Sequence, residues 1–234
     1  YSTNDNELQK LSLPGLQQII PYNPYAPSIY PTQIIREHYP IAGFWGVDVK
    51  RTADGAYDLS PTGALQFGEL RYVGPALPKY EGGFSNTLTF FGDFRLYALI
   101  DFKGGNYLFN QRERNRNQAS NRNSQRFNDP THPLSALDSA YWSGNATMPW
   151  IQPADFMKLR DLSLSYSVPP HLARALRSQS LTLTVTGHNL GFISKKYGGI
   201  DPEVNFFGQS TFRTYSSFAQ FIRTDSYTLP MVRR

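Results

Sequence analysis

The sequence predicts an all-β chain: a segment of a large antiparallel transmembrane β-barrel with long extracellular loops and short periplasmic turns. Three observations carry that expectation. Four segments alternate strictly between apolar and polar residues, as strands with one face of each kind do. The connections between these segments alternate between short and long, as in transmembrane barrels. Finally, 18 glycines and 17 prolines among 234 residues interrupt the chain too often for long helices, while 31 Tyr and Phe residues and a charged share of 18% set it apart from disorder.

The first segment, 84–91, puts Phe84, Leu88 and Phe90 on one face and Ser85, Thr87 and Thr89 on the other. The second, 94–102, sets Phe94, Leu96, Ala98, Ile100 and Phe102 against Arg95, Tyr97, Leu99 and Asp101. Gly92 and Asp93 between them read as a tight hairpin turn. The third, 159–168, opposes Leu162, Leu164, Tyr166 and Val168 to Asp161, Ser163, Ser165 and Ser167. The fourth, 181–188, opposes Leu181, Leu183 and Val185 to Thr182, Thr184, Thr186 and His188. Each runs about 8 to 10 residues, close to the roughly 9 to 11 that a tilted strand needs to cross hydrocarbon. The polar faces carry Ser, Thr, Arg and Asp, as the wall of a wide wet or plugged lumen does. A soluble sandwich shows the same alternation with its apolar faces packed together, so periodicity alone leaves both open.

Connection lengths favour the barrel. The link at 92–93 is short, that at 103–158 long, that at 169–180 compact, and that from about 191 to 225 long again. The compact link holds Pro169-Pro170 and a short helical pattern over 171–177, a periplasmic cap in this topology. Residues 1–83 read as irregular Pro/Gly-rich loops with early barrel strand, one strand falling at 41–51 and a turn at Ala53-Asp54-Gly55-Ala56. Residues 84–234 hold the C-terminal barrel strands. Arg112, Arg114, Arg116, Arg122 and Arg126 lie among Asn and Gln without interleaved aromatics. They read as a solvated or mobile loop tip rather than an anion or nucleic-acid site.

Several chemistries are excluded or unsupported. Without cysteine there is neither a disulfide nor a thiolate metal site. No run of 18 apolar residues exists, which rules out a spanning helix but not spanning strands. The net charge of +5 is small for the length and argues for no nucleic-acid partner. His38, His132, His171 and His188 have no metal-ligand spacing, and no nucleophile elbow or phosphate loop occurs. Asp155 with Asp161 has no separation that sequence fixes, as a glycosidase pair requires. Asp201, Glu203 and Asn205 place oxygens at alternate positions and form a weak Ca²⁺ candidate, although Gly198-Gly199 and Pro202 already explain a turn there. No cofactor is expected.

A set of ordered motifs resembles the SusC/RagA group of TonB-linked outer-membrane receptors. Tyr39-Pro40-Ile41-Ala42-Gly43-Phe44-Trp45-Gly46 with Asp54-Gly55 is similar to one of the family's glycine-rich regions and its following turn. Gly74 to Asn86 resembles its entry into a strand, and Ala140-Tyr141-Trp142 an aromatic site in a long outer loop. Most specific are Phe156 to Pro169 (FMKLRDLSLSYSVP), Val185 to Leu190 (VTGHNL) and Gly199 to Asn205 (GIDPEVN), in the family's order. The resemblance covers about residues 39–230. It implies a barrel of about 22 strands around a plug, in the cell outer membrane, importing oligosaccharides, peptides or similar nutrients and doing no catalysis. The implied partners are the lipid bilayer and lipopolysaccharide, a SusD-like lipoprotein lid, TonB and a small oligomeric nutrient ligand, with no nucleic acid. Relative to that pattern the chain lacks the plug domain, the TonB-contacting segment and the final strand, stopping at Met231-Val232-Arg233-Arg234.

Site residues follow from the same picture. Tyr141, Trp142 and Trp150 are ligand-contact candidates, since large rigid aromatics bind at low entropy cost; packing within the loop or an aromatic girdle is the plainer reading. Arg95, Asp101, Asp161 and His188 are expected to face the lumen. The competing functions are a secreted soluble β-sandwich that binds carbohydrate, separable by its independence of detergent, and an accessory structural subunit of a larger membrane assembly.

Overall fold

A computed structural model describes residues 1–11, 18–19, 33–118, 121–144 and 146–203. In chain order the strands are β1 (Ser2–Thr3), β2 (Gln18–Ile19), β3 (Gln33–Arg36), β4 (Gly43–Gly46), β5 (Arg71–Gly74), β6 (Tyr80–Phe90), β7 (Phe94–Gly104), β8 (Tyr107–Phe109), β9 (Ile151–Pro153), β10 (Phe156–Val168) and β11 (Leu181–Lys195). The helices are α1 (Gln111–Asn117), α2 (Gln125–Asn128), α3 (Ala136–Ser143) and α4 (Pro170–Ala175), with a 3₁₀ turn at Met148–Trp150.

The four expected strands are β6, β7, β10 and β11, and they form one antiparallel meander with β1 added beyond β6. Register matches like with like across the sheet. Leu88, Leu96, Leu164 and Val185 align in one row, and Phe90, Phe94, Tyr166 and Leu183 in the next. The opposite face aligns Thr87, Tyr97, Ser163 and Thr186, then Thr89, Arg95, Ser165 and Thr184. There the Ser163–Thr186 and Ser165–Thr184 hydroxyls pair at 3.0 Å each. A shift of one residue would mix the two faces, so the alternation itself fixes the pairing.

Among the described residues nothing covers the apolar face. Phe84 is 59% exposed, Leu88 56%, Leu183 58% and Val185 77%. Burying such a side chain is worth about 1.5–3 kcal/mol, and a soluble sandwich would bury this row beneath its second sheet. The remaining sheets, β2-β3-β4-β5 and β8-β9, are small, and the buried hydrophobic residues belong almost entirely to them and to the loops.

Strand ends differ from expectation for local reasons. The first hairpin turns over Phe91 to Asp93, not two residues, because Phe91 (φ 52°) and Gly92 (φ 77°) both lie in the left-handed region and end β6 at Phe90. Gly82-Gly83 lies inside β6: a Cβ on Gly82 would sit 2.8 Å from the Phe102 ring, so glycine there makes room for that ring. The predicted strand at 41–51 shrinks to β4, continued by isolated bridges Val49–Phe67 and Arg51–Tyr57 around the expected turn, where Gly55 has φ 87°. The expected helical cap is α4, with Pro170 in its first turn. The proline-rich stretch 14–40 and the link 191–225 fall largely outside the described residues.

The link expected at 103–158 is not an open loop. It folds as β8, α1, α2, α3 and β9 over a core of Ala42, Phe44, Ala76, Phe109, Trp150 and Ile151, with Ile41, Val73, Tyr107 and Trp142 packed against it. A second cluster joins Leu108, Ala154 and Tyr197. The hydrophobic core therefore sits at the long-loop end of the sheet, as a dome.

Candidate functional site: the rim between sheet and dome

At the dome end of the polar face, β10 begins Phe156-Met157-Lys158-Leu159-Arg160-Asp161. Arg160 and Asp161 are adjacent, so an unbroken strand would send one of them to the apolar side. Register shifts at Leu159/Asp161 against both neighbours make Arg160 an extra residue relative to β7, while Asn189 and Leu190 lie opposite it on β11. The bulge lets both charges serve the polar face. Asn189 absorbs the distortion with φ 52°, a conformation asparagine tolerates better than most residues.

This geometry builds a charged cluster. Arg160 Nε donates to Asp101 Oδ2 at 2.7 Å, its Nη1 to Asn189 Oδ1 at 3.1 Å, and its Nη2 to Glu203. Lys158 Nζ donates to Asp201 Oδ2 at 3.1 Å and to Glu203 Oε2 at 2.9 Å. Lys158 and Asp201 side chains are each only 4% exposed. The loop after β11 is thereby clasped onto the sheet, and the Asp201 carboxylate also accepts the Glu203 backbone N–H at 2.9 Å. Burial raises the Glu203 pKa, but the bonds from Arg160 and Lys158 outweigh it and leave the group below the ordinary glutamate value.

The expected site residues distribute unevenly. Asp101 joins the clasp, and Asp161 meets His188 across the strands at 2.6 Å. Arg95 stands exposed on the same polar face, opposite Thr89 and Ser165. Asp201 and Glu203 are not free oxygens awaiting Ca²⁺: Lys158 and Arg160 already hold them, and among the described residues no cluster suits a metal ion. Asn205 lies outside the described residues. Asp155 is engaged by the Gly105 N–H at 2.8 Å and Lys196 Nζ at 2.6 Å, which tie the rim ends of β7, β10 and β11 together.

Trp150 is buried and presents no surface to a ligand. It is 2% exposed and forms the heart of the dome core, edge-on to Trp142 at 5.6 Å. Trp142 in turn lies under the Arg126 guanidinium, 3.6 Å from its ring centre, and Tyr141 packs on Trp142 and Tyr57. Burial, together with Asp48 alongside, pushes the Tyr141 hydroxyl pKa up. All three aromatics thus have internal packing roles, and only Tyr141 and Trp142 keep partial exposure.

The arginine-rich patch is also not the solvated tip that its composition suggests. Asn117 is fully buried: its amide donates to the Glu113 carbonyl (2.6 Å) and carboxylate (3.1 Å), and its oxygen accepts from Ser124 (2.8 Å) and Arg126 (2.9 Å). Asn110 caps α1 by accepting the Glu113 N–H at 3.0 Å. Asn is suited to such a polar core because one side chain both donates and accepts.

No family model matches the chain. In sequence it is 24% identical over 211 residues to TonB-dependent receptor P3 of Formosa agariphila, an alignment covering 75% of this chain and 20% of that protein. In fold it is similar to the RagAB peptide transporter (TM-score 0.62, 17% identity, 84% of this chain and 23% of that one) and to the RagAB peptide importer in its open-open state (TM-score 0.60, 17% identity, 84% and 22%). The chain therefore spans about a fifth of the length of these relatives. The resemblance to SusC/RagA-type receptors, drawn first from the motifs between residues 39 and 230, is borne out by both comparisons.

Proposed function

We propose, from its similarity to a TonB-dependent receptor and to peptide importers, that the chain forms part of an outer-membrane, TonB-dependent receptor importing nutrients such as oligosaccharides or peptides, and that it is not an enzyme. The observation that carries this reading is the register-matched sheet with one predominantly apolar face, which no described residue covers. In a closed barrel that face meets lipid, and the Ser, Thr, Arg and Asp face lines the interior. The dimensions fit: an 11-residue strand such as β6, at about 3.3 Å per residue and tilted about 40°, rises about 28 Å, against an apolar band about 25 Å tall. Phe90, Phe94 and Tyr166 stack side by side at the short-turn end, with ring centres 5.5 and 4.7 Å apart, and Phe102 marks the other end of the same face. Such rows suit the two membrane interfaces. By the same likeness a SusD-like lipoprotein lid and TonB are the partners, and the dome and rim face the nutrient.

Paired substitutions test the orientation. Leu162→Arg, at mid-height on the apolar face, is expected to cost about 2–4 kcal/mol of barrel stability and to reduce the receptor recovered in folded form from outer membranes. Ser163→Arg, one residue on and facing inward, is expected to leave recovery near that of the unaltered protein. Equal tolerance of both, or loss with Ser163→Arg alone, overturns the proposal. The soluble carbohydrate-binding sandwich is disfavoured by the exposure of Phe84, Leu88, Leu183 and Val185.

A further inference from the structure

The end of the sheet opposite the dome carries groups to which the barrel wall gives no role. Two connections meet there: the Asp93 carbonyl, in the turn from β6 to β7, accepts the Ser167 N–H at 2.8 Å, and α4 begins just past the end of β10. Three large apolar side chains stand out from them, Phe91 at 89% exposure, Leu176 at 70% and Leu172 at 49%. Phe91 packs edge-on to Phe90 with ring centres 5.6 Å apart, so it prolongs the row of Phe90, Phe94 and Tyr166 beyond the last strand residue. The Leu176 N–H donates to the Leu172 carbonyl at 3.3 Å, which sets the two leucines one helical turn apart on one flank of α4. Ala173, on another flank, is buried.

Charge at this end is one-sided. Arg174 and Arg177 are exposed, with His171 beside them, and Asp93 is the one carboxylate in 90–94 and 169–180. The residues outside the described ranges add only Asp225 as a further carboxylate. Arg177 has φ 56°; its N–H donates to the Arg174 carbonyl at 2.9 Å and the Ser178 N–H to the Ala173 carbonyl at 3.0 Å, a helix ending that glycine ordinarily closes. An arginine in that place holds a cation at the helix end.

In a barrel the short turns are periplasmic, so this end projects past the aromatic row to the level where acyl chains give way to glycerol and phosphate. Apolar side chains flanked by guanidiniums match that boundary. The groups are spread over two separate connections and continue the apolar face from its last row, Val168 and Leu181, without closing into a pocket. That arrangement favours a fluid layer of headgroups over a protein partner of fixed shape. We infer that the short-turn end is a docking surface for anionic phospholipid of the periplasmic leaflet, with Phe91, Leu172 and Leu176 seated at the top of the acyl chains and Arg174 and Arg177 on the headgroups. The inference rests on the membrane reading and adds to it a partner of defined charge.

Native mass spectrometry of the full receptor in neutral detergent micelles tests it, with dioleoyl phosphatidylglycerol and dioleoyl phosphatidylcholine as probes. Phosphatidylglycerol is expected to bind about tenfold more tightly. Arg174→Gln with Arg177→Gln is expected to bring the two affinities within about twofold, whereas Arg174→Lys with Arg177→Lys keeps the preference. Lys50→Gln, which removes an exposed charge on the dome side, is expected to keep it as well. Phe91→Gly suits the positive φ of the turn, so its expected weakening of both lipids, by about tenfold, reports the lost ring and not a damaged turn. Equal binding of the two lipids, a preference that survives the glutamine pair, its loss in the lysine pair or in Lys50→Gln, or unchanged affinities in Phe91→Gly overturns the inference. Such a result with Leu162→Arg still depleting folded receptor strikes this surface alone; equal tolerance of Leu162→Arg and Ser163→Arg strikes the membrane reading itself.

Discussion

Lys158 shows how much one side chain at the rim carries. It is buried with Asp201 and reaches Glu203, so removing its charge leaves two carboxylates short of a partner in a poorly hydrated place. Breaking such a pair by deleting one member costs about 3–5 kcal/mol. Lys158→Met is therefore expected to lower the unfolding free energy by that order and to speed hydrogen exchange in residues 199–203, whereas Lys196→Met, whose own side chain is exposed where it meets Asp155, should cost far less. Acid should loosen the same clasp. Because the Glu203 carboxyl sits below the ordinary glutamate value when folded, its contribution is complete above that ordinary value and disappears as pH falls through the depressed one. Exchange in 199–203 measured across an acid series is expected to rise in that window, and to lose its pH dependence in Glu203→Gln.

At the level of elements, the bulge in β10 and β11 turns a strand into a site. Asn189→Gly keeps the backbone conformation at little cost but loses the bond to Arg160. Asn189→Val cannot adopt φ 52° without strain of about 1–2 kcal/mol. The valine variant is expected to be the less stable of the two by thermal unfolding. The sequence made β6, β7, β10 and β11 legible because apolar and polar residues alternate along most of their length, with few exceptions such as Asn86 and Leu99. It also carried a trace of the bulge, in the adjacent charges Arg160 and Asp161 within an otherwise strict alternation. The dome was hidden for a physical reason. Part of its interior is polar, built on Asn110, Asn117 and Ser124, and composition cannot distinguish an asparagine hydrated in a loop from one saturated by Glu113, Ser124 and Arg126. Trp150 misled in the opposite sense, since a tryptophan in a long loop looks available until its neighbours are known.

For the whole molecule, the sheet has an open side: among the described residues nothing pairs with the outer edge of β11. An unpaired edge beside an uncovered apolar face is an invitation to self-association in water. The isolated 234-residue chain, refolded without lipid or detergent, is expected to sediment as β-rich aggregates, and with detergent micelles to remain dispersed; a monodisperse chain in plain buffer would sink the membrane reading.

The dome also sets an order of events. Its helices and the strands β8 and β9, from Gly105 to Asp155, are threaded between β7 and β10, packing on Ala42, Phe44 and Ala76 from earlier in the chain, and on the membrane reading that stretch must pass through the bilayer to reach the cell surface. A folded body with Asn117 and Arg114 inside it is too polar and too wide to make that passage. It must cross as loose chain and consolidate afterwards, so the outward-facing half of this protein is the last to mature.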